Sequence, residues 1–166
     1  MRRLALLVVA LAAAACGGGD GDRAKPTPAP TRAAAAGPAG LVSEQVGRGP
    51  QTAYIVRPAK AGPLPVVLFI HGWGATRPRY YMPWLEHLAR AGNIVIYPRY
   101  QDSVVTPPDQ VLGNLIAGVR LALARVDERP GSLVVAGHSA GGALSADYAA
   151  IARQARLPAP RAVLSM

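Results

Sequence analysis

Gly137-His138-Ser139-Ala140-Gly141 constrains this chain more than any other stretch. It follows Ser132-Leu133-Val134-Val135-Ala136, which reads as a short buried strand, and precedes an alanine-rich run that reads as a helix. A chain that passes from strand to helix within five residues must bend sharply. That bend holds Ser139 in a strained backbone conformation with its Oγ lifted clear of the sheet, and a Cβ two residues to either side would collide. Glycine at 137 and at 141 removes both clashes. The hydroxyl then stands at a helix N-terminus, where free amides and the helix dipole favour developing negative charge.

A second apolar strand, Pro65-Val66-Val67-Leu68-Phe69-Ile70, runs directly into His71-Gly72-Trp73-Gly74. With these two motifs in this order, residues 41–166 resemble the α/β-hydrolase superfamily. A strand ending in His-Gly there precedes the loop that supplies one oxyanion-hole amide. The resemblance implies that Ser139 is the nucleophile, with the amides of Trp73 and Ala140 holding the oxyanion and Gly72, Gly137 and Gly141 shaping the loop and the turn. The short loop and nearby Trp73, Tyr80, Tyr81 and Trp84 resemble small bacterial esterases and dienelactone-hydrolase-like or polyester-hydrolase-like enzymes. The implied reaction is hydrolysis of a small-molecule or polymeric carboxylic ester through an acyl-enzyme. The four aromatics suit a pocket or a core equally well. A non-catalytic, membrane-tethered binding domain of the same fold, or a peptidase or lyase of that fold, is the alternative.

In the superfamily the chain order is serine, then Asp or Glu, then His. After Ser139 this sequence offers one more strand-like stretch, Arg161 to Ser165, and no further histidine. His71 is expected to be structural, His138 to point away from Oγ and His87 to be solvated. Asp102, Asp109, Asp127 and Asp147 read as caps or surface charges. The expectation is therefore an incomplete α/β-hydrolase fold lacking its last strands, a fragment without its catalytic acid and histidine and with little activity alone.

The remaining pattern fits α/β architecture. Gln51 to Arg57 alternates like a half-buried strand, Tyr80 to Ala89 suits a helix closed by Gly92, and Asn93 to Pro98 is another strand. Thr106-Pro107-Pro108-Asp109 signals a helix start with Thr106 as N-cap, and Val111, Leu112, Leu115, Ile116, Val119 and Leu123 form its buried stripe. Strands that are nearly all apolar, alternating with helices, predict a mostly parallel sheet with helices on both faces.

Residues 1–15 read as a signal peptide: a basic Met1-Arg2-Arg3, an apolar run from Leu4 to Ala15, and small residues just before Cys16. The single cysteine directly after that run resembles a bacterial lipoprotein signal, which implies acylation of Cys16 and anchoring to the outer face of the cell membrane. An ordinary secreted protein is the alternative, and either route exports the chain. Residues 16–40, rich in Gly, Pro and Ala, read as a disordered tether ahead of the domain at 41–166. The formal net charge of +9 rests mostly on arginines scattered along the chain without aromatic interleaving, which argues against a nucleic-acid partner. No metal-ligand spacing and no phosphate-cradling glycine loop is present, so no cofactor is expected.

Overall fold

A computed structural model of the chain describes residues 32–36, 40–59 and 62–166. The expected signal peptide, Cys16 and most of the tether lie outside the described residues. Seven strands form one sheet: β1 (Arg32–Ala36), β2 (Leu41–Val46), β3 (Ala53–Pro58), β4 (Val66–Ile70), β5 (Ile94–Pro98), β6 (Val134–Gly137) and β7 (Ala162–Ser165). Three α-helices, α1 (Met82–Arg90), α2 (Pro108–Leu123) and α3 (Ala140–Ile151), pack against it.

The order across the sheet is β1-β2-β3-β5-β4-β6-β7. β5, β4, β6 and β7 pair in parallel, while β1, β2 and β3 join as antiparallel neighbours. Only β1 and β3 therefore run against the common direction, and the sheet is mostly parallel as expected. Helices cover both faces. Leu85 and Ala89 of α1 pack with Phe69, Val95 and Tyr97 on one face. Val111, Leu115 and Val119 of α2 and Leu144 and Tyr148 of α3 pack with Leu68, Ile70, Ile96 and Val135 on the other. β5 is buried along its whole length, as a strand covered on both faces must be. Among the described residues, no helix is long and apolar enough to cross a membrane.

Three differences from the sequence reading have local causes. Arg32–Ala36, inside the stretch expected to be disordered, pairs with β2; an alanine run carries no alternation, and backbone pairing alone makes it a strand. β2 was not anticipated because it buries only its two end residues, Leu41 on one face of the sheet and Val46 on the other. Thr106 is not the N-cap of α2, which begins after Pro107. Its Oγ1 turns back to accept from the amides of Asp102 at 3.0 Å and Ser103 at 3.3 Å, closing the preceding loop. The remaining elements fall within a few residues of their expected bounds.

Candidate active site

β4 lies between β5 and β6, and its last residue, Ile70, pairs with Gly137 at the end of β6. This register sets the loop after β4 beside the turn after β6, both at the carboxyl ends of parallel strands. The His138 amide donates to the Ile70 carbonyl at 3.0 Å and extends that ladder into the turn.

Ser139 sits between β6 and α3 with φ 55° and ψ −121°, a conformation that costs a non-glycine residue roughly 1–3 kcal/mol. A Cβ on Gly137 would strike the Gly141 carbonyl and the Ser145 hydroxyl, and one on Gly141 would strike the carbonyl of Ile70. Both glycines are thus required by close approach. The far side of the turn is tied to β7: the Ser139 amide donates to the Met166 carbonyl at 2.7 Å, and the Met166 amide donates to Gly137 at 2.9 Å. Ser139 itself is exposed, and its hydroxyl has no hydrogen-bond partner among the described residues.

His71 is fully buried, and its ring stacks on Tyr100 at 4.2 Å and on Tyr97 at 5.1 Å. Nδ1 lies 2.7 Å from the Gly72 carbonyl and Nε2 lies 2.8 Å from that of Arg99. A neutral imidazole donates to one of them. Burial holds its pKa below the usual histidine range, against the two carbonyls, which favour the cation. His71 therefore serves as a structural post, as its position suggested.

The loop it supports is held from the β5 side. The Tyr100 hydroxyl donates to the His71 carbonyl at 2.7 Å, and Gln101 Oε1 accepts from the Gly74 amide at 3.0 Å. Within the loop the Ala75 amide donates to the Gly72 carbonyl at 3.1 Å. Among the described residues, the amides of Trp73 and Ala140 have no acceptor. The Trp73 indole, 41% exposed, donates to the Val104 carbonyl at 3.0 Å.

Gly72 marks where the two segments converge: a Cβ there would lie 3.1 Å from His138 Nδ1, 3.3 Å from the Tyr81 hydroxyl and 3.4 Å from Ser139 Cβ. The Tyr81 oxygen accepts from the Gly72 amide at 3.2 Å and lies 2.8 Å from His138 Nδ1, linking the loop to the turn. The four aromatics divide. Tyr81 and Trp84 pack on Phe69 at 4.9 and 5.0 Å, but only Tyr81 joins the core, whereas Trp84, Trp73 and Tyr80 are exposed.

Among the described residues, no imidazole or carboxylate hydrogen-bonds to Ser139 Oγ. His138 engages Tyr81. His87 and Asp147 are exposed. Asp102 pairs with Arg99 at 3.3 Å. Nor, among the described residues, do three or more His, Cys, Asp or Glu side chains cluster as a metal would require. Gly72 and Ser139, carried by the two sequence motifs, lie side by side. The sequence pattern offered Tyr81 only as a pocket or core aromatic and gave no role to Tyr100 or Gln101, whose one sequence signal is their position just past a buried strand.

Residues 34–158 match the family described as Chlorophyllase. No curated protein matches the chain. Among solved structures, the chain is similar to an acetyl xylan esterase from Paenibacillus sp. R4, with 18% identity, a TM-score of 0.66, and coverage of 84% of this chain and 54% of that one. It is also similar to carboxyl esterase 2 from the mycorrhizal fungus Tuber melanosporum, at 22% identity and TM-score 0.62, covering 78% and 46%. An esterase of the bacterial hormone-sensitive lipase family gives 28% identity and TM-score 0.58, covering 76% and 43%. The chain thus spans about half the length of the structures it resembles.

Proposed function

This chain belongs to the chlorophyllase family, an α/β-hydrolase family, and we propose from that premise that it is the nucleophile-bearing part of a serine esterase. In this reading Ser139 Oγ attacks the ester carbonyl, the amides of Trp73 and Ala140 receive the oxyanion, the alcohol departs, and water releases the acid from the acyl-serine. The observation that carries the reading is an exposed, strained Ser139 packed beside Gly72, the residue before Trp73. No base and no orienting acid is assigned among the described residues, because none of their side chains hydrogen-bonds to Oγ. Without them the expected rate is the residue left by oxyanion binding, on the order of 10³–10⁴ over water. We further propose export and membrane anchoring through an acylated Cys16, supported by the basic, apolar and small-residue order of residues 1–16. An ester-bearing small molecule or polymer is the substrate class, and no nucleic acid is involved.

The test uses p-nitrophenyl acetate with the chain and its Ser139→Ala variant, with and without added imidazole as an external base. The expected result is a slow acetylation, seen by intact mass, that requires Ser139 and accelerates with imidazole after the variant's rate is subtracted. Equal acetylation of the variant would remove Ser139 from the reaction. Fast, imidazole-independent turnover would mean that the chain already holds its own base.

A further inference from the structure

On the α1 face of the sheet, a cavity of about 440 Å³ is lined by Gln45, Tyr54, Arg77, Arg79, Met82 and Arg99, among others. Ser139, Trp73 and Ala140 do not line it, and the esterase reading makes no use of it. Three arginines line this space, Arg77 and Arg79 exposed and Arg99 partly buried, and no acidic residue does.

Their charge is poorly compensated. Among the described residues, Arg77 and Arg79 have no acidic partner within ion-pair distance. Arg99 Nη2 meets Asp102 Oδ1 at 3.3 Å, but that carboxylate is more than half exposed and outside the cavity lining, and Arg99 Nε is buried without a hydrogen-bond partner. The first turn of α1, which contributes Met82, carries no acid. Arg79 donates to the Tyr80 hydroxyl at 3.2 Å, and this bond, followed by the charges of Arg79 and Arg77, holds that phenol below its usual range. Water screens the two exposed guanidiniums, but the buried, unpartnered Arg99 Nε still lacks an acceptor that a bound anion would supply.

We propose that this cavity is a binding site for a small soluble oxyanion carrying two negative charges, with a phosphate monoester as the ligand class. Arginine forks present paired N–H donors that match phosphate oxygens, and three such groups exceed what a single carboxylate can engage. Tyr54 and Gln45 add neutral polar groups, and the volume leaves room for an organic substituent beyond the phosphate. The cavity adjoins the Trp73 loop along the chain. Tyr97, from β5, directs its hydroxyl at the carbonyls of Ala75 and Arg77, in the segment leading from the Trp73 turn to the two arginines.

The experiment titrates the whole chain with inorganic phosphate and with phenyl phosphate at constant ionic strength, balanced by sodium chloride. ³¹P line broadening and thermal unfolding are the readouts. Saturable binding is expected for both ligands. In Arg77→Gln/Arg79→Gln it should weaken by at least about tenfold, since two charge-assisted contacts are lost. The single variant Arg79→Gln should show a smaller loss and guards against misfolding of the double variant. Arg153→Gln/Arg161→Gln removes the same charge elsewhere and should bind as the parent does. The proposal fails if binding is not saturable, if chloride stabilises equally, or if both double variants lose affinity alike. It also fails if phosphate groups are bound only on phosphatidylglycerol vesicles, which would make the patch a membrane contact rather than a site for a soluble ligand.

Discussion

Two residues that directly follow or nearly follow parallel strands adopt left-handed backbone conformations without being glycine. Tyr100, just past β5, has φ 41°, and Ser139, just past β6, has φ 55°. Each costs roughly 1–3 kcal/mol, yet the strain is used in opposite ways. At Tyr100 it turns a ring into the core, where it stacks on His71 and bonds the His71 carbonyl. At Ser139 it turns a hydroxyl out to solvent, where Oγ finds no partner among the described residues. Backbone strain alone therefore does not mark a reactive site. Under the proposed reading, exposure is what sets Ser139 apart from the buried Tyr100.

The largest effect expected from this contrast lies in the glycines, because only the Ser139 turn needs them at both shoulders. Gly141→Ala would drive a methyl group into the backbone of Ile70 and His71, which belongs to the central strand and cannot move alone. We expect a loss above about 4 kcal/mol, large enough to prevent a cooperative urea transition. A normal transition midpoint would show that the turn is looser than its contacts imply.

Tyr100 comes next. Tyr100→Ala removes a fully buried ring and should cost about 3–5 kcal/mol, whereas Tyr100→Phe keeps the ring and should cost about 1–3 kcal/mol for an unsatisfied His71 carbonyl. Ser139→Ala, by contrast, should fall within about 0.5 kcal/mol of the parent. If urea midpoints place Tyr100→Ala and Ser139→Ala together, the division between structural and functional strain collapses.

The contrast also explains what was legible in the sequence. Ser139 could be identified because its turn demands Gly137 and Gly141 two residues to either side, a local requirement written as a local pattern. The neighbouring Trp73 loop was readable because an apolar strand ends there. The core strands and α2 announced themselves through apolar runs and a buried stripe. Tyr100, Gln101 and Tyr81 act over separations of 9 to 57 residues, through a carbonyl, an amide and an imidazole. No spacing rule records such contacts. β1 and β2 were hidden for a related reason, since strands near the end of a sheet, held mainly by backbone pairing, need little apolar alternation.

Acid should act on the Tyr100 side of the comparison. Burial lowers the His71 pKa in the folded chain, so the unfolded chain takes up the proton first as pH falls. Stability from this group is intact above about pH 6.5 and declines below it, by at most about 1.4 kcal/mol per pH unit, until the folded imidazole is itself protonated. Urea midpoints between pH 7.5 and 5 should therefore slope less steeply in His71→Asn than in the parent. An identical slope would assign acid sensitivity to other groups.

The smallest effect is the most diagnostic because its sign is unusual. Glycine adopts φ 55° without penalty, so Ser139→Gly relieves the strain of the turn, and the exposed hydroxyl it removes makes no bond among the described residues. The greater chain entropy of glycine when unfolded offsets part of that gain. We expect the variant to be more stable than the parent by up to about 1 kcal/mol while losing all Ser139-dependent acetylation. Tyr100→Gly, with the same backbone relief, should instead be strongly destabilised, because there the strain is what brings a side chain into the core. Opposite signs at two positions of positive φ would separate the proposed reactive site from the structural one by thermodynamics alone, and a destabilised Ser139→Gly would mean that its hydroxyl supports the fold.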